Sequence, residues 1–327
     1  MNLRIELINE QYYDLWDSFI ASSLNGTIFH KSFWLKSLGN HFDIWGVYDN
    51  GNLQAGFVAP YKQFLRQYVI SPQFLTPYSG LVLKGYEGKY VNKLSFEKNI
   101  TTKLARFLKS KYRWGVLIFA PRTEYILPFM WEGLKVIPWY TYILDISDIK
   151  KVWQEMGKKQ KANIRKAIAD GLTVIVGRSF NSVIKLVEKT YQRQNLVFKS
   201  KLAYRYFSEL QRRNLCETFI CIDADGNELA GSFILWDEKK AYSFLSGYNA
   251  KMKHRGAVSL CRYEAIKFAS EQLDLKEIDF EAGMIPNIEE FNRRWGGKLT
   301  PHYEIRWGRG IDLMIKLKRF FTSHFKL

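Results

Sequence analysis

Two carboxylates stand two residues apart in residues 277–283, where alternating apolar positions predict a strand. Successive side chains of a strand point to opposite faces, so Asp279 and Glu281 are expected to share one face. As a general base, Glu281 would accept a proton from an attacking amine or hydroxyl. The alternative is structural and is the commoner case for such acids: an ion pair with Arg293 or Arg294.

The preceding predicted strand, residues 241–249, carries two tyrosines, Tyr242 and Tyr248. A tyrosine hydroxyl in this sheet could donate a proton during the reaction. The catalytic candidates are therefore Glu281, Tyr248 and Asp279. The chain holds 19 tyrosines, so a place in the core or at its rim is the alternative for each tyrosine.

A basic segment lies near the middle of the chain, where residues 150–166 hold seven Lys and Arg and one acid, Glu155. A helix predicted over residues 152–169 places Lys158, Lys161 and Arg165 on one face. That face is either a phosphate-binding edge for a nucleotide sugar, a cofactor or RNA, or an ordinary solvated helix face.

A short loop, residues 251–257, joins a predicted strand to a predicted helix and contains Arg255 and Gly256. A glycine at such a position lets main-chain N–H groups and the helix N-terminus face an anion. The loop fits a pyrophosphate-binding turn, although a plain strand-to-helix turn predicts similar residues.

The composition limits the class of protein. Basic residues exceed acidic ones, 49 to 32, which gives a formal net charge of +17 and indicates attraction to polyanions. Five scattered histidines and three cysteines form no metal-ligand pattern, so no metal is expected. The cysteine usage, the charged N-terminal residues and the lack of a long apolar run predict a cytoplasmic protein without a signal peptide.

The elements that must position these residues occur twice. The turn pattern Gly-Asn-x-x-Ala-Gly begins at Gly51 and again at Gly226, each time between two strand-like runs. Each hairpin is followed by further strand, a helix and a strand. The helix of the first copy is predicted over residues 96–112, where Ile100, Leu104 and Leu108 recur at helical spacing. The fold class is therefore α/β (α+β): two tandem modules, residues 1–147 and 148–308, each with a mixed, mostly antiparallel sheet flanked by helices.

The C-terminal residues, 309–327, mix large apolar side chains with Lys and Arg and predict a basic amphipathic segment. We expect this segment to dock back on the first module. The alternative is peripheral contact with an anionic membrane, at the inner face of a cell membrane.

The module order resembles the Gcn5-related N-acetyltransferase (GNAT) fold, and its duplication resembles the Fem-type peptidyltransferases and FemAB-like acyltransferases. Three stretches are similar to segments of that family: the basic helix over residues 157–174, Phe291-x-x-x-Trp295-Gly296, and Thr27-Ile-Phe29-His30-x-x-x-Trp34. The family signature near the end has a lysine where this chain has Asn292.

The resemblance implies an acyltransferase that moves an acetyl or aminoacyl group to an amine of a cell-envelope or polysaccharide precursor. Lys36 and Arg193 become candidates for binding the phosphates of a nucleotide- or lipid-linked sugar or peptide acceptor. Residues that would bind the donor, acetyl-CoA, another acyl-CoA or aminoacyl-tRNA, are Lys158, Lys161, Arg165, Arg255 and Gly256. The alternative function is a non-catalytic protein on a degenerate GNAT scaffold that binds RNA, including tRNA, or a membrane surface.

Overall fold

The structure is a computed structural model that describes residues 2–37, 39, 41–64, 67–281 and 284–310. The chain divides into two compact units. The first takes in the residues up to Trp139 and the stretch that begins at Pro301, and the second runs from Tyr140 to Thr300. The predicted C-terminal segment lies outside the described residues except for Arg309 and Gly310.

The first unit has a mixed sheet in the order β1-β2-β3-β4-β6-β13, with β5 paired to β3. Among the pairings described, only β4 and β6 run parallel. Its strands are β1 (Leu3–Leu7), β2 (Phe42–Asp49), β3 (Asn52–Phe64), β4 (Gln67–Ile70), β5 (Gly80–Leu83), β6 (Trp114–Ile118) and β13 (Lys298–Trp307). Its helices are α1 (Tyr13–Ser22), α2 (Ser32–Ser37), α3 (Tyr90–Lys111) and α4 (Leu127–Trp131).

The long helix α3 covers this sheet because its apolar residues recur at helical spacing. Ile100, Leu104 and Leu108 are fully buried and pack with Phe57 and Leu117 of the strands. The hairpin between β2 and β3 is the predicted one: Asn50 and Gly51 both have positive φ, 48° and 79°, as a two-residue turn of this kind requires.

The strands of the second unit follow the order β7-β12-β11-β10-β9-β8, in which β11 and β12 are parallel and the other described pairs antiparallel. Its strands are β7 (Lys135–Asp145), β8 (Thr173–Val176), β9 (Cys216–Ile222), β10 (Glu228–Trp236), β11 (Ala241–Tyr248) and β12 (Glu277–Asp279). Its helices are α5 (Ile149–Glu155), α6 (Lys158–Ala169), α7 (Phe180–Arg193), α8 (Ser200–Arg212), α9 (Ala257–Glu271) and α10 (Pro286–Arg293).

Two elements of this unit differ from the sequence prediction. The helix expected over residues 152–169 is two helices, α5 and α6, because Gly157 begins α6 in an extended conformation with its N–H bonded to the carbonyl of Arg294. The strand expected over residues 277–283 ends at Asp279. The predicted fold class, two modules with mixed, mostly antiparallel sheets, is confirmed.

No helix among the described residues combines the length and the apolar character needed to cross a bilayer.

Candidate active site

Strand β11 has one paired edge and one largely unpaired edge. Along the first it pairs with β10 from Ala241 to Tyr248, with a bulge at Phe244. Along the second, only Ala241 and Tyr242 pair with β12, which ends at Asp279. From residue 243 to 248 no strand in the described part of the chain pairs with this edge, so the two strands diverge after their second paired residue.

A buried network fixes the start of β11 to the end of β12. Asp279 is fully buried and accepts hydrogen bonds from Thr141 Oγ1 at 2.7 Å and from Lys240 Nζ at 3.2 Å. The hydroxyl of Tyr242 donates to Asp237 Oδ2 at 2.6 Å. Because Asp279 is paired with a cation, its charge is compensated and its carboxylate is held rigidly.

Glu281 lies past the end of β12 in a left-handed conformation, with φ of 54°. Its main-chain N–H donates to Asp279 Oδ1 at 2.9 Å, whereas its own Oε1 is buried without a hydrogen-bond partner. Burial, and secondly the charge of Asp279, raise the pKa of Glu281 well above its usual range, and Lys240 opposes this in part.

The ion pair predicted as the structural alternative for Glu281 is not found among the described residues. Among the described residues, Arg293 pairs with Glu289 and Arg294 pairs with Glu290, each one helical turn away on α10. Such i, i+4 pairs form locally wherever the helix continues. Neither arginine therefore compensates Glu281, whose buried Oε1 and raised pKa are features found in general bases as well as in structural acids.

A second buried polar atom lies where the strands diverge. Ser243 follows Tyr242, the last residue of β11 that pairs with β12. It is 6% exposed, and its Oγ has no hydrogen-bond partner among the described residues. Buried hydroxyls and carboxyls without partners are uncommon in folded proteins. The last β11–β12 pair is Tyr242 with Asp279. Ser243 directly follows Tyr242, and Glu281 comes two residues after Asp279.

The three catalytic candidates are not all brought together. Asp279 pairs with Tyr242 at the beginning of β11, whereas Tyr248 is the last residue of that strand. Six residues of extended chain span about 20 Å. Tyr248 instead contacts Arg193, whose guanidinium lies over its ring 4.1 Å from the centroid. The structure thus brings Arg193, a candidate for binding the acceptor, to Tyr248, a catalytic candidate. Both lie away from the acid Asp279.

The three candidate cations of the basic helix α6 differ in their contacts. Lys158 and Arg165 are exposed, and the Arg165 guanidinium lies 5.5 Å from the ring centroid of Trp153. Lys161 Nζ donates to the carbonyl of Gln154 at 2.7 Å. Lys158 and Arg165 thus keep their charges at the surface.

The loop before α9 is tied to α6. His254 bonds Asp170 through Nε2 at 2.8 Å and accepts the N–H of Gly256 at Nδ1 at 3.1 Å. A Cβ at Gly256 would lie 2.1 Å from the carbonyl oxygen of Asn163. The glycine is therefore needed for close packing on α6, and its N–H is already used, whereas Arg255 is exposed.

Lys36 belongs to the first unit, where Nζ pairs with Glu10 at 2.6 Å and lies 5.3 Å from the ring centroid of Tyr13. A cavity of about 750 Å³ in the same unit lies beside β1 and the turn between β2 and β3. Arg4, Trp16 and Tyr48 are among its lining residues, and it contains none of the predicted site residues.

In the first unit, the edge that corresponds to the unpaired edge of β11 is closed by the chain itself. Asn25 Nδ2 donates to the carbonyl of Leu81 at 3.0 Å, and Asn25 Oδ1 accepts the N–H of Leu83 at 2.8 Å. The N–H of Leu24 donates to the carbonyl of Leu83 at 2.9 Å. The side chain of Asn25 thus replaces a strand along β5, so this edge has no main-chain group to offer to a ligand at these positions.

A buried cation of the second unit was missed by the sequence analysis. Arg262 of α9 is 7% exposed, and its guanidinium lies 4.7–5.9 Å from the ring centroids of Phe280, Phe291 and Trp295. It donates to Asn292 Oδ1 at 2.6 Å, and burial lowers the pKa of Arg262 to about 9. An arginine on an otherwise apolar helix face was the available signal.

No group of three or more His, Cys, Asp or Glu side chains in the described part of the chain is arranged to hold a metal ion. The groups available to bind a donor are the unpaired main-chain groups of β11 and three exposed cations. These are Lys158 and Arg165 of α6, and Arg255 in the loop before α9.

Comparison with known proteins identifies the fold. Residues 158–291 match the family of GNAT acetyltransferase domains. FemX is similar over 96% of this chain and 99% of its own, with a TM-score of 0.70 and 13% identity. L-PGS from Bacillus licheniformis is similar over 98% of both chains (TM-score 0.54, 12% identity).

A tandem GNAT protein from the clavulanic acid biosynthesis pathway covers 93% of this chain and 98% of its own, with a TM-score of 0.53 and 10% identity. No curated protein matches the sequence. The resemblance drawn from the sequence is confirmed for the fold: the chain has a FemAB-like, duplicated GNAT fold.

Proposed function

We propose that this protein is an acyltransferase whose second unit binds an acyl-CoA along the unpaired edge of β11 and transfers the acyl group to an amine of a cell-envelope or polysaccharide precursor. The observation that carries the proposal is the divergence of β11 and β12 after Tyr242 and Asp279, with buried, unpartnered Ser243 Oγ and Glu281 Oε1 beside it.

The edge of β11 suits a donor with an amide-containing arm. Main-chain N–H and C=O groups of an unpaired strand bind an extended chain of amides as a further strand would. The corresponding edge of the first unit is occupied by Asn25, which favours the second unit as the donor site. The GNAT family match over residues 158–291 supports an acyl-CoA as donor rather than aminoacyl-tRNA.

The donor supplies a thioester carbonyl, which the acceptor amine attacks with loss of the thiol. In this proposal Glu281 takes the proton that the amine releases, since a carboxylate whose pKa is raised is a stronger base than an ordinary one. Asp279 and Lys240 position Glu281 and tune its pKa rather than contacting substrate. Arg193, beside Tyr248, and separately Lys36 are the proposed contacts to acceptor phosphates.

The neighbours in fold direct the choice of acceptor. The resemblance to the Fem-type peptidyltransferases implies a cell-envelope precursor as acceptor, and this chain shares its fold with FemX. In this chain the strongly basic composition favours a phosphate-bearing acceptor of the same kind.

The test combines ligand binding with turnover. Acetyl-CoA should raise the melting temperature of the wild-type protein and of Glu281→Gln alike, because the substitution leaves the β11 edge intact. Thiol release in the presence of phosphate-linked amino sugars should fall by about 10²- to 10⁴-fold in Glu281→Gln, the range for loss of a general base. Asp274→Asn, at an exposed acid of the same unit, is the matched control.

If acyl-CoA does not raise the melting temperature, the proposed acyl-CoA donor is wrong. A shift with charged tRNA alone would point to the RNA-dependent function, and a shift with acetyl-CoA but equal turnover in Glu281→Gln would remove Glu281 as the base.

A further inference from the structure

The first unit exposes a cluster of large apolar side chains on α3, on the segment leading into it, and on α4. Trp131, Tyr90 and Val91 are 60–65% exposed, and Met130 is 54% exposed. The cluster, called here the α3–α4 patch, comprises Tyr86, Tyr90, Val91, Leu127, Met130 and Trp131. Exposed apolar residues are ordinary when scattered, but a contiguous group marks an interaction surface.

Contacts between the two helices place Trp131 of α4 beside α3. Lys98 of α3 lies 5.6 Å from the ring centroid of Trp131 on α4, and Lys93 bonds Glu124 just before α4 at 2.9 Å. Tyr90 and Val91 lie two turns before Lys98 on the same helix, a rise of about 11 Å. The ring of Tyr86 packs against Phe96 with centroids 5.4 Å apart.

The patch is not an incompletely packed part of the core, because each element already has a buried face. On α4, Phe129 is fully buried and contacts the ring of Phe119, whereas its neighbour Met130 points outwards. On α3, Ile100 and Leu104 fill the core. The exposed side chains are therefore additional to those that the fold needs.

Cations without ion pairs lie on the same segments of the chain as the patch. Lys84, Lys89 and Lys98 are exposed and make no ion pair with any residue that the structure describes. Trp and Tyr side chains with adjacent Lys are the combination that lies at the boundary between lipid headgroups and acyl chains. A second copy of this chain would bring the same lysines against one another, which like-charge repulsion disfavours.

We propose that the α3–α4 patch docks on an anionic phospholipid surface, with Trp131, Tyr90 and Val91 inserted among the headgroups and the three lysines paired with lipid phosphates. Such docking would present the protein to a lipid-linked acceptor, but the proposal does not depend on the transfer reaction. It also differs from contact through residues 309–327, since it uses only residues of the first unit before Glu132.

Vesicle co-sedimentation of the full chain tests the proposal. Binding to phosphatidylcholine vesicles with about one-third phosphatidylglycerol should exceed binding to pure phosphatidylcholine, and should weaken from about 0.1 to about 1 M salt, as the Debye length falls from about 10 to about 3 Å. Tyr90→Ser with Trp131→Ser should weaken binding at least about tenfold. Lys89→Glu with Lys98→Glu should weaken binding to the anionic vesicles only.

Matched controls make each outcome decisive. Leu15→Ser with Val197→Ser changes two side chains that are 69% and 68% exposed elsewhere, and Lys185→Glu with Lys189→Glu makes the same charge change on α7. Both controls should bind like wild type, with unchanged circular dichroism for all four variants. Absence of vesicle binding, equal loss in patch and control variants, or a dimer that the patch variant alone dissociates would each overturn the proposal.

Discussion

The guanidinium of Arg193 lies over the ring of Tyr248, 4.1 Å from its centroid, and its Nη1 donates a hydrogen bond of 3.2 Å to the main-chain carbonyl of the same tyrosine. A second bond, from Nη2 to Thr190 Oγ1 at 3.1 Å, holds the group in place. The end of α7 is thereby fixed to the end of β11, where a rigid, exposed cation is available to an anionic substrate.

Substituting Arg193 by alanine is expected to raise KM for a phosphate-bearing acceptor by about tenfold or more, with kcat nearly unchanged, because a charged contact to the ground state is lost. Tyr248→Phe keeps the ring under the cation and should leave KM close to wild type. Steady-state kinetics at two salt concentrations measures both. Arg212→Ala, an exposed arginine on α8, is the control, and a fall in kcat alone would contradict the proposed contact.

The pH profile should identify Glu281 through its two charged neighbours. Lys240→Met removes the cation that lowers the pKa of Glu281, so the acidic limb of kcat/KM should move to higher pH. Asp279→Asn removes the anion that raises this pKa, so the same limb should move to lower pH. Shifts in one direction for both variants, or in neither, would mean that Glu281 is not the group that titrates.

Glu281→Gln should also remove the loss of unfolding free energy that comes from burying an ionisable carboxyl. Burial raises the pKa of Glu281 in the folded state above its unfolded value, so stability is complete below the unfolded pKa and is lost as pH rises through the folded one. Glutamine copies the protonated acid without ionising. Urea denaturation should therefore show the variant gaining on wild type between pH about 4.5 and the raised pKa. A difference that stays constant with pH would show that Glu281 has an ordinary pKa.

The sequence predicted those features that rest on local chemistry. Asn50 and Gly51 indicate a tight turn because few other pairs adopt positive φ, and the apolar spacing of Ile100 and Leu104 indicates a buried helix face. Both are confirmed. Repeated twice along the chain, such signals were enough to indicate a duplicated module and its resemblance to the GNAT fold.

Features set by tertiary contacts were not predictable. The alternation of residues 277–283 continues past Asp279, yet the strand ends there and Glu281 turns into a left-handed conformation that local sequence favours only weakly for glutamate. Nothing near Asn25 in the sequence indicates that its amide bonds β5, since its partners lie more than 50 residues away. These two residues lie beside the edges of β11 and β5 that distinguish the two units.

Arg262 gives a prediction that separates packing from charge. Its guanidinium is buried among aromatic rings with a neutral amide as hydrogen-bond acceptor, and its lowered pKa reflects the cost of that burial. Arg262→Met should be neutral or stabilising, whereas Arg262→Ala should lose roughly 2–4 kcal/mol of unfolding free energy through the cavity that it leaves. Denaturation in urea compares the two. A large loss in the methionine variant would show that the charge has a compensating partner.

Asn25 offers a test of why the outer edge of β5 is closed whereas that of β11 is largely unpaired in the described part of the chain. Asn25→Ala would leave the carbonyl of Leu81 and the N–H of Leu83 buried without their partner, at a cost of roughly 2–4 kcal/mol. Asn25→Asp keeps the acceptor for Leu83 but replaces the donor to Leu81 with an acid, so it should also destabilise, and more at pH 7 than at pH about 4, near the usual Asp pKa. Asn52→Ala, at an exposed asparagine of the same unit, is the control.

Because acyl-CoA binding is proposed for the second unit, the acetyl-CoA affinity of the folded Asn25→Ala protein should equal that of wild type. A marked change in affinity would place the donor in the first unit instead.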